Sequence, residues 1–284
     1  MYPNFFSLLA LIYLFFPVYS KILVATGIPW DKSRDNTEVL DLKDADMVCP
    51  NMAPFPHKAQ GSSSGLLDGI PVVCGGEISG GRSDQCFKIT KSTTLLVATM
   101  NKKRYSANSI VLDNKKLWVM GGQSSDGYEK TTEYIEVDKA SSEGPDLPAT
   151  MMRQGVVAFD NTYMLIGGYG DGGSGGSSKS YQTKTWYYDA SNQDWMAGPL
   201  MNHARGSYQG AGVAIDTATN EPFVCVTAGY PSMDTYEILY STEWTAGTIN
   251  NFSDKGLNFL IFCLFFRTHA KKNERASHGD IGQN

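Results

Sequence analysis

The sequence predicts an all-β fold made by radial repetition of four-stranded units, on three observations. Apolar runs that stop at glycine recur along the chain, they recur at a regular step, and no amphipathic helical stretch lies between them. The runs are Ile22-Leu23-Val24-Ala25-Thr26-Gly27, Val72-Val73-Cys74-Gly75-Gly76, Leu117-Trp118-Val119-Met120-Gly121-Gly122, Met164-Leu165-Ile166-Gly167-Gly168 and Val224-Cys225-Val226-Thr227-Ala228-Gly229. Their final glycines stand at 27, 76, 122, 168 and 229, giving steps of 49, 46, 46 and 61 residues.

Taken in order, residues 1–20 read as a secretory signal. Phe5 to Val18 is apolar, too short to span a bilayer, and Val18-Tyr19-Ser20 suits cleavage after Ser20, although no Lys or Arg precedes the run. The mature chain then begins at Lys21, in the first repeated strand, and the protein is expected outside the cell. With 42% hydrophobic residues the chain can bury a large core. A net charge of -5 gives no whole-chain attraction to nucleic acid or to an anionic membrane surface. Cys49, Cys74, Cys86, Cys225 and Cys263 are an odd set, so at least one has no partner within the chain.

After each glycine comes a polar turn and then a second β-rich segment: Thr37-Glu38-Val39-Leu40, Cys86-Phe87-Lys88-Ile89, Thr132-Glu133-Tyr134-Ile135, Thr185-Trp186-Tyr187-Tyr188 and Tyr236-Glu237-Ile238-Leu239. A shorter segment follows, seen as Asp194-Trp195-Met196 and Glu243-Trp244-Thr245. Basic turns at Arg104, Arg153 and Arg205 lead into small-residue strands at Ser109-Ile110-Val111-Leu112, Gly155 to Phe159 and Gly210 to Ile215. Each unit therefore holds four short strands. Its glycines sit where strands converge and only a residue without Cβ permits close approach or positive φ.

These features resemble the kelch-repeat β-propellers. The resemblance rests on the Gly75-Gly76, Gly121-Gly122 and Gly167-Gly168 doublets, on Tyr187-Tyr188-Asp189 followed by Trp195, and on the shared spacing of Met100 to Arg104 and Met201 to Arg205. It covers residues 21–255 and departs from the pattern at the single glycines Gly27 and Gly229, and at Gly144-Pro145, where the third unit lacks the tryptophan. It implies about five four-stranded blades in an incomplete or irregularly closed ring, because the first unit starts at its second strand. Residues 256–284 hold the apolar stretch Leu257 to Phe266 and a polar, disordered tail. A truncated or aberrant C-terminus ranks ahead of ring closure by that stretch, and a peripheral membrane tail comes last; no transmembrane span is expected.

Cys74 ends one strand and Cys86 opens the next, within disulfide reach in an oxidising compartment. Asn251-Phe252-Ser253 is the only N-glycosylation sequon. Gly170 to Gly175 and the residues around Ser174 match a dinucleotide fingerprint and a nucleophile elbow. Both matches lack the required helix, since another strand follows. Kelch-like propellers include copper radical oxidases, but only His57 and His203 lie within the repeats and neither forms a ligand pair, so no catalytic residue, metal or cofactor is expected. A degenerate galactose-oxidase-like enzyme and an inactive fragment are the alternatives. Trp30, Arg82, Asp84, Tyr128 and Tyr169 lie in turns just after the glycines, which a propeller gathers on one face. They are the candidate contacts of a secreted, non-enzymatic scaffold for a protein or glycan partner.

Overall fold

The computed structural model describes the backbone of residues 21–27 and 34–41, and residues 52–159, 162–173, 178–207, 209–216, 219–240 and 242–248 in full. Signal segment 1–20, Trp30, Cys49, Asn251, Cys263 and the tail 256–284 lie outside the described residues.

Four antiparallel sheets of four strands follow one another along the chain, each an up-and-down meander. Blade 2 comprises Ser63–Leu67, Ile70–Cys74, Gln85–Ile89 and Thr94–Thr99, and blade 3 comprises Asn108–Leu112, Lys116–Met120, Thr132–Ile135 and Ser142–Gly144. Blade 4 holds Gly155–Phe159, Thr162–Ile166, Thr185–Asp189 and Asp194–Ala197; blade 5 holds Gly210–Ile215, Pro222–Thr227, Thr235–Tyr240 and Glu243–Thr248. Blade 1 contributes the hairpin Lys21–Gly27 and Arg34–Asp41 among the described residues. Among the described residues four of the expected five units are four-stranded sheets and the first is represented by its hairpin, and the sequence steps correspond to equivalent positions. Cys74 faces Cys86, Met120 faces Thr132, Ile166 faces Thr185 and Thr227 faces Tyr236.

The second strand of each blade reads as a continuous apolar run because both its faces are covered. Val72 and Cys74 pack with Leu117 and Val119 of blade 3, whereas Val73 turns to Phe55, Ala59 and Phe87. Between blades 3 and 4 the covering is aromatic: the Trp118 ring lies 5.0 Å from Tyr188 and 5.8 Å from Trp195. First strands of successive blades lie side by side, joined through Ser109, whose hydroxyl donates to Ser64 O at 2.9 Å and accepts from Ser64 N at 3.1 Å. Close approach there demands small residues. Cys74 and Cys86, opposite one another on neighbouring strands, form the expected disulfide.

The segments that carry the chain between blades clamp two units at once. Gly76 N donates to Arg104 O, Gly122 N to Met151 O and Gly168 N to Arg205 O, at 2.8–2.9 Å. This makes Arg104, Met151 and Arg205 equivalent, and corrects the grouping of Arg153 with the other two arginines: Arg153 lies two residues further on. The glycine before each donor turns with positive φ against the same segment. A Cβ on Gly121 (φ +64°) would lie 2.5 Å from Met151 O, and one on Gly167 (φ +60°) would lie 2.4 Å from Arg205 O.

Arg104 and Arg205 are fully buried and do the same work. Arg104 Nη2 donates to Glu133 Oε1 at 2.7 Å and Nη1 to Gly121 O and Thr131 O; Arg205 repeats this with Glu237, Ala228 O and Thr235 O. The two carboxylates are satisfied further by Asn101 N and Lys102 N, or by Asn202 N and His203 N. Blades 2 and 4 replace the pair with apolar groups, Ala59 with Phe87 and Met151 with Trp186, all buried. In those blades Pro56 and Pro148 stand where Asn101 and Asn202 donate their N–H. With no carboxylate there to accept an N–H bond, proline, which has none to donate, fits the position.

Candidate binding face

The turns between second and third strands, together with the inter-blade segments, form one face of the molecule. Short ribbons tie them down: Gln123–Ser124 with Gly127–Tyr128, Met151–Met152 with Tyr169–Gly170 and Ser180–Tyr181, and Arg205–Gly206 with Tyr230–Pro231. Buried polar side chains hold these turns from beneath. Glu129 is engaged by Lys102, Ser124 and Thr131, and Gln182 donates to Gly170 O and Ser180 O. Burial would raise the Glu129 carboxyl, but those donors outweigh it and hold it below the ordinary carboxylate range.

On this frame four tyrosines form a strip across three blades. Tyr128 lies 5.6 Å from Tyr169, Tyr169 lies 4.9 Å from Tyr181, and Tyr181 lies 5.1 Å from Tyr230, with interplanar angles of 88°, 58° and 62°. Tyr230 is 54% exposed and the other three are half-buried. Burial pushes the Tyr128 phenol up, the neighbouring phenols add to this, and the charge of Arg153 opposes it. Lys179 Nζ stands 5.9 Å from the centre of the Tyr128 ring and 3.8 Å from Asp171 Oδ2. Beside the strip, Arg82 lies over the Tyr105 ring at 5.2 Å, and Tyr105 Oη donates to Gln123 Oε1.

Of the residues singled out in the sequence, the structure brings Tyr128 and Tyr169 into contact and sets Arg82 on the same face. Asp84 has a structural part, its carbonyl accepting Met100 N at 2.8 Å. Tyr181, Tyr230 and Tyr105 were not singled out. Tyr230 follows Gly229 as Tyr169 follows Gly168, a signal present in the sequence, whereas Tyr181 lies beyond the glycine-rich insert and depends on the fold. The structural glycines Gly75, Gly76, Gly121, Gly122, Gly167, Gly168 and Gly229 all have positive φ, and Gly27 ends a described strand. Among the described residues no group of three or more His, Cys, Asp or Glu could hold a metal ion. Strands, not a helix, follow Gly170 to Gly173 among the described residues.

No family model matches the sequence, and no curated protein matches it. The solved structure of YjhT superposes with a TM-score of 0.67 at 13% sequence identity, over 86% of this chain and 84% of that one. With the radial order of four-stranded sheets, this likeness identifies the fold as a β-propeller type.

Proposed function

We propose that the chain is a secreted, non-enzymatic kelch-repeat scaffold whose turn face holds a protein or glycan partner. The observation that carries this reading is the tyrosine strip, a row of large, partly exposed rings on a frame tied by ribbons. Aromatic side chains of this kind supply contact area with little rotamer entropy to lose, and they are enriched at binding hot spots. The buried ionic groups beneath are already consumed in holding turns and junctions, which supports a binding role over an acid–base one. The kelch assignment draws support from the glycine doublets, the four-strand meander and the repeated arginine of the junctions.

The test is to recover the protein from culture medium, where an intact mass beginning at Lys21 and two hydrogens light for Cys74–Cys86 is expected. That product is screened against a displayed-peptide library and a glycan array. Ligands found should lose about tenfold or more in affinity on Y181A/Y230A, with the thermal midpoint unchanged. Binding that survives the double substitution would sink the assignment of this face.

A further inference from the structure

Each inter-blade segment turns into its first strand through a left-handed corner. These corners are Gly61, Ser106, Arg153 and Ser207, with φ of +63°, +54°, +57° and +37°. Successive corners touch: Ser106 N donates to Gly61 O at 2.7 Å and Arg153 N to Ser106 O at 2.9 Å. Since the first strands of neighbouring blades lie side by side, the corners sit at the inner end of the face. Three are glycine or serine and one is arginine. The left-handed backbone costs Ser106, Arg153 and Ser207 alike through their Cβ atoms, so what sets Arg153 apart is the guanidinium it places at this end of the face.

The surroundings of Arg153 fix its guanidinium without neutralising it. Nη1 donates to Ser207 Oγ at 2.8 Å and Nε to Ser106 Oγ at 3.4 Å, while the Arg153 carbonyl accepts from Gln209 Nε2 at 3.2 Å. Among the described residues no carboxylate lies within ion-pair distance of it, in contrast to Arg104, Arg205, Lys102, Lys130, Lys139 and Lys179. Arg82, also on this face, has no such carboxylate either. The acids nearby are engaged or peripheral: Glu129 is held by Lys102, Asp171 stands beside Lys179, and Asp126 is exposed at a turn tip. An oriented, unneutralised guanidinium suits a carboxylate, which can accept two parallel N–H bonds from it.

We propose that Arg153 is the carboxylate-binding subsite of this face, and that the occupant is an extended polypeptide placing an Asp or Glu side chain there while its neighbours cross the tyrosine strip. This deepens, and rests on, the binding reading above. The strip favours polypeptide over sugar because its rings are inclined to one another by 58–88°. It therefore offers edges and hydroxyls instead of a flat stacking platform, flanked by Ser125 and Gly127 in the Tyr/Ser/Gly composition of protein-binding paratopes. Its three steps match about five residues of extended chain at roughly 3.3 Å each.

The experiment selects linear peptides from a random displayed library on the full secreted chain and measures their affinity for R153Q, R153G and Y181A/Y230A. The equivalent corner leading into blade 2 is Gly61, so R153G fits the backbone and serves as the folding-safe variant. Selected peptides are expected to share an Asp or Glu and to weaken about tenfold or more on both Arg153 variants. Changing that peptide acid to Asn or Gln should cause no further loss on R153Q, and R153G should melt no lower than the parent. Peptides without a common acid, or undiminished binding to R153Q and R153G, would overturn the subsite. Binding lost on Y181A/Y230A but kept on the Arg153 variants would remove the subsite and leave the face. Binding kept on all three would remove both. Capture of uronic-acid oligosaccharides with no peptide selected would overturn the polypeptide occupant.

Discussion

A buried arginine with its carboxylate is costly to desolvate, and this protein contains both the ionic and the apolar solution to one position. Arg205 and Glu237 occupy in blade 5 the places that Met151 and Trp186 occupy in blade 4. R205M alone leaves the Glu237 carboxylate buried without its cation and is expected to cost about 3–5 kcal/mol in urea unfolding. N202P/R205M/E237L removes charge, partner and orphaned donor together, as blade 4 does with Pro148, and should recover about half of that loss or more. A triple variant no more stable than R205M would refute the equivalence. Burial alone would raise the Glu237 carboxyl, but the Asn202 amide and Arg205 outweigh it and hold it below its ordinary value. Because the folded value is depressed, the stabilisation is complete above the unfolded pKa near 4.5 and is lost as pH falls through the folded one. Unfolding free energy should thus fall more steeply below that pH for the parent than for E237Q; equal slopes would refute it.

At the scale of the strand and its turn, the glycine doublet is a contact with the next segment as much as a bend. G167A adds to the φ penalty a Cβ 2.4 Å from Arg205 O, whereas Gly69, with φ +77°, has open space around it. G167A should therefore destabilise by about 1–3 kcal/mol more than G69A, read as the difference in denaturant midpoints; equal costs would mean that the junction yields freely. Strand order, the five-unit count and the Cys74–Cys86 bridge were legible in the sequence because each leaves a local mark: an apolar run, a fixed step, two cysteines flanking one turn. Junction register was harder to read. Arg153 looks like the counterpart of Arg104 and Arg205 until Leu147 is aligned with Met100 and Met201, which moves the equivalence to Met151. Tyr181 was illegible for a different reason, since its place beside Tyr169 depends on the pairing of Tyr169–Gly170 with Ser180–Tyr181, which no local pattern marks.

At the scale of the molecule, the described blades 2 to 5 are joined by cores that each neighbouring pair shares. Trp118 belongs to blade 3 but packs on Tyr163, Tyr188 and Trp195 of blade 4. W118A is expected to cost about 3–5 kcal/mol. In a nearest-neighbour assembly it should also split or broaden the urea transition, as the blades on either side of the cavity unfold separately. A single transition of unchanged slope would mean that cooperativity is carried by other contacts.

The buried arginines also indicate where such a protein can be cut and rejoined. Arg104 and Glu133 lie on the same side of a boundary placed before Met100, but on opposite sides of one placed at the first strand of blade 3. Modules beginning at Phe55, Met100, Leu147 or Met201 carry charge and counter-charge together, or neither. Tandem duplication in that frame copies a self-sufficient piece, and chimaeras joined there should exchange ionic and apolar versions freely. Joining at the strand would strand a cation beside a foreign neighbour.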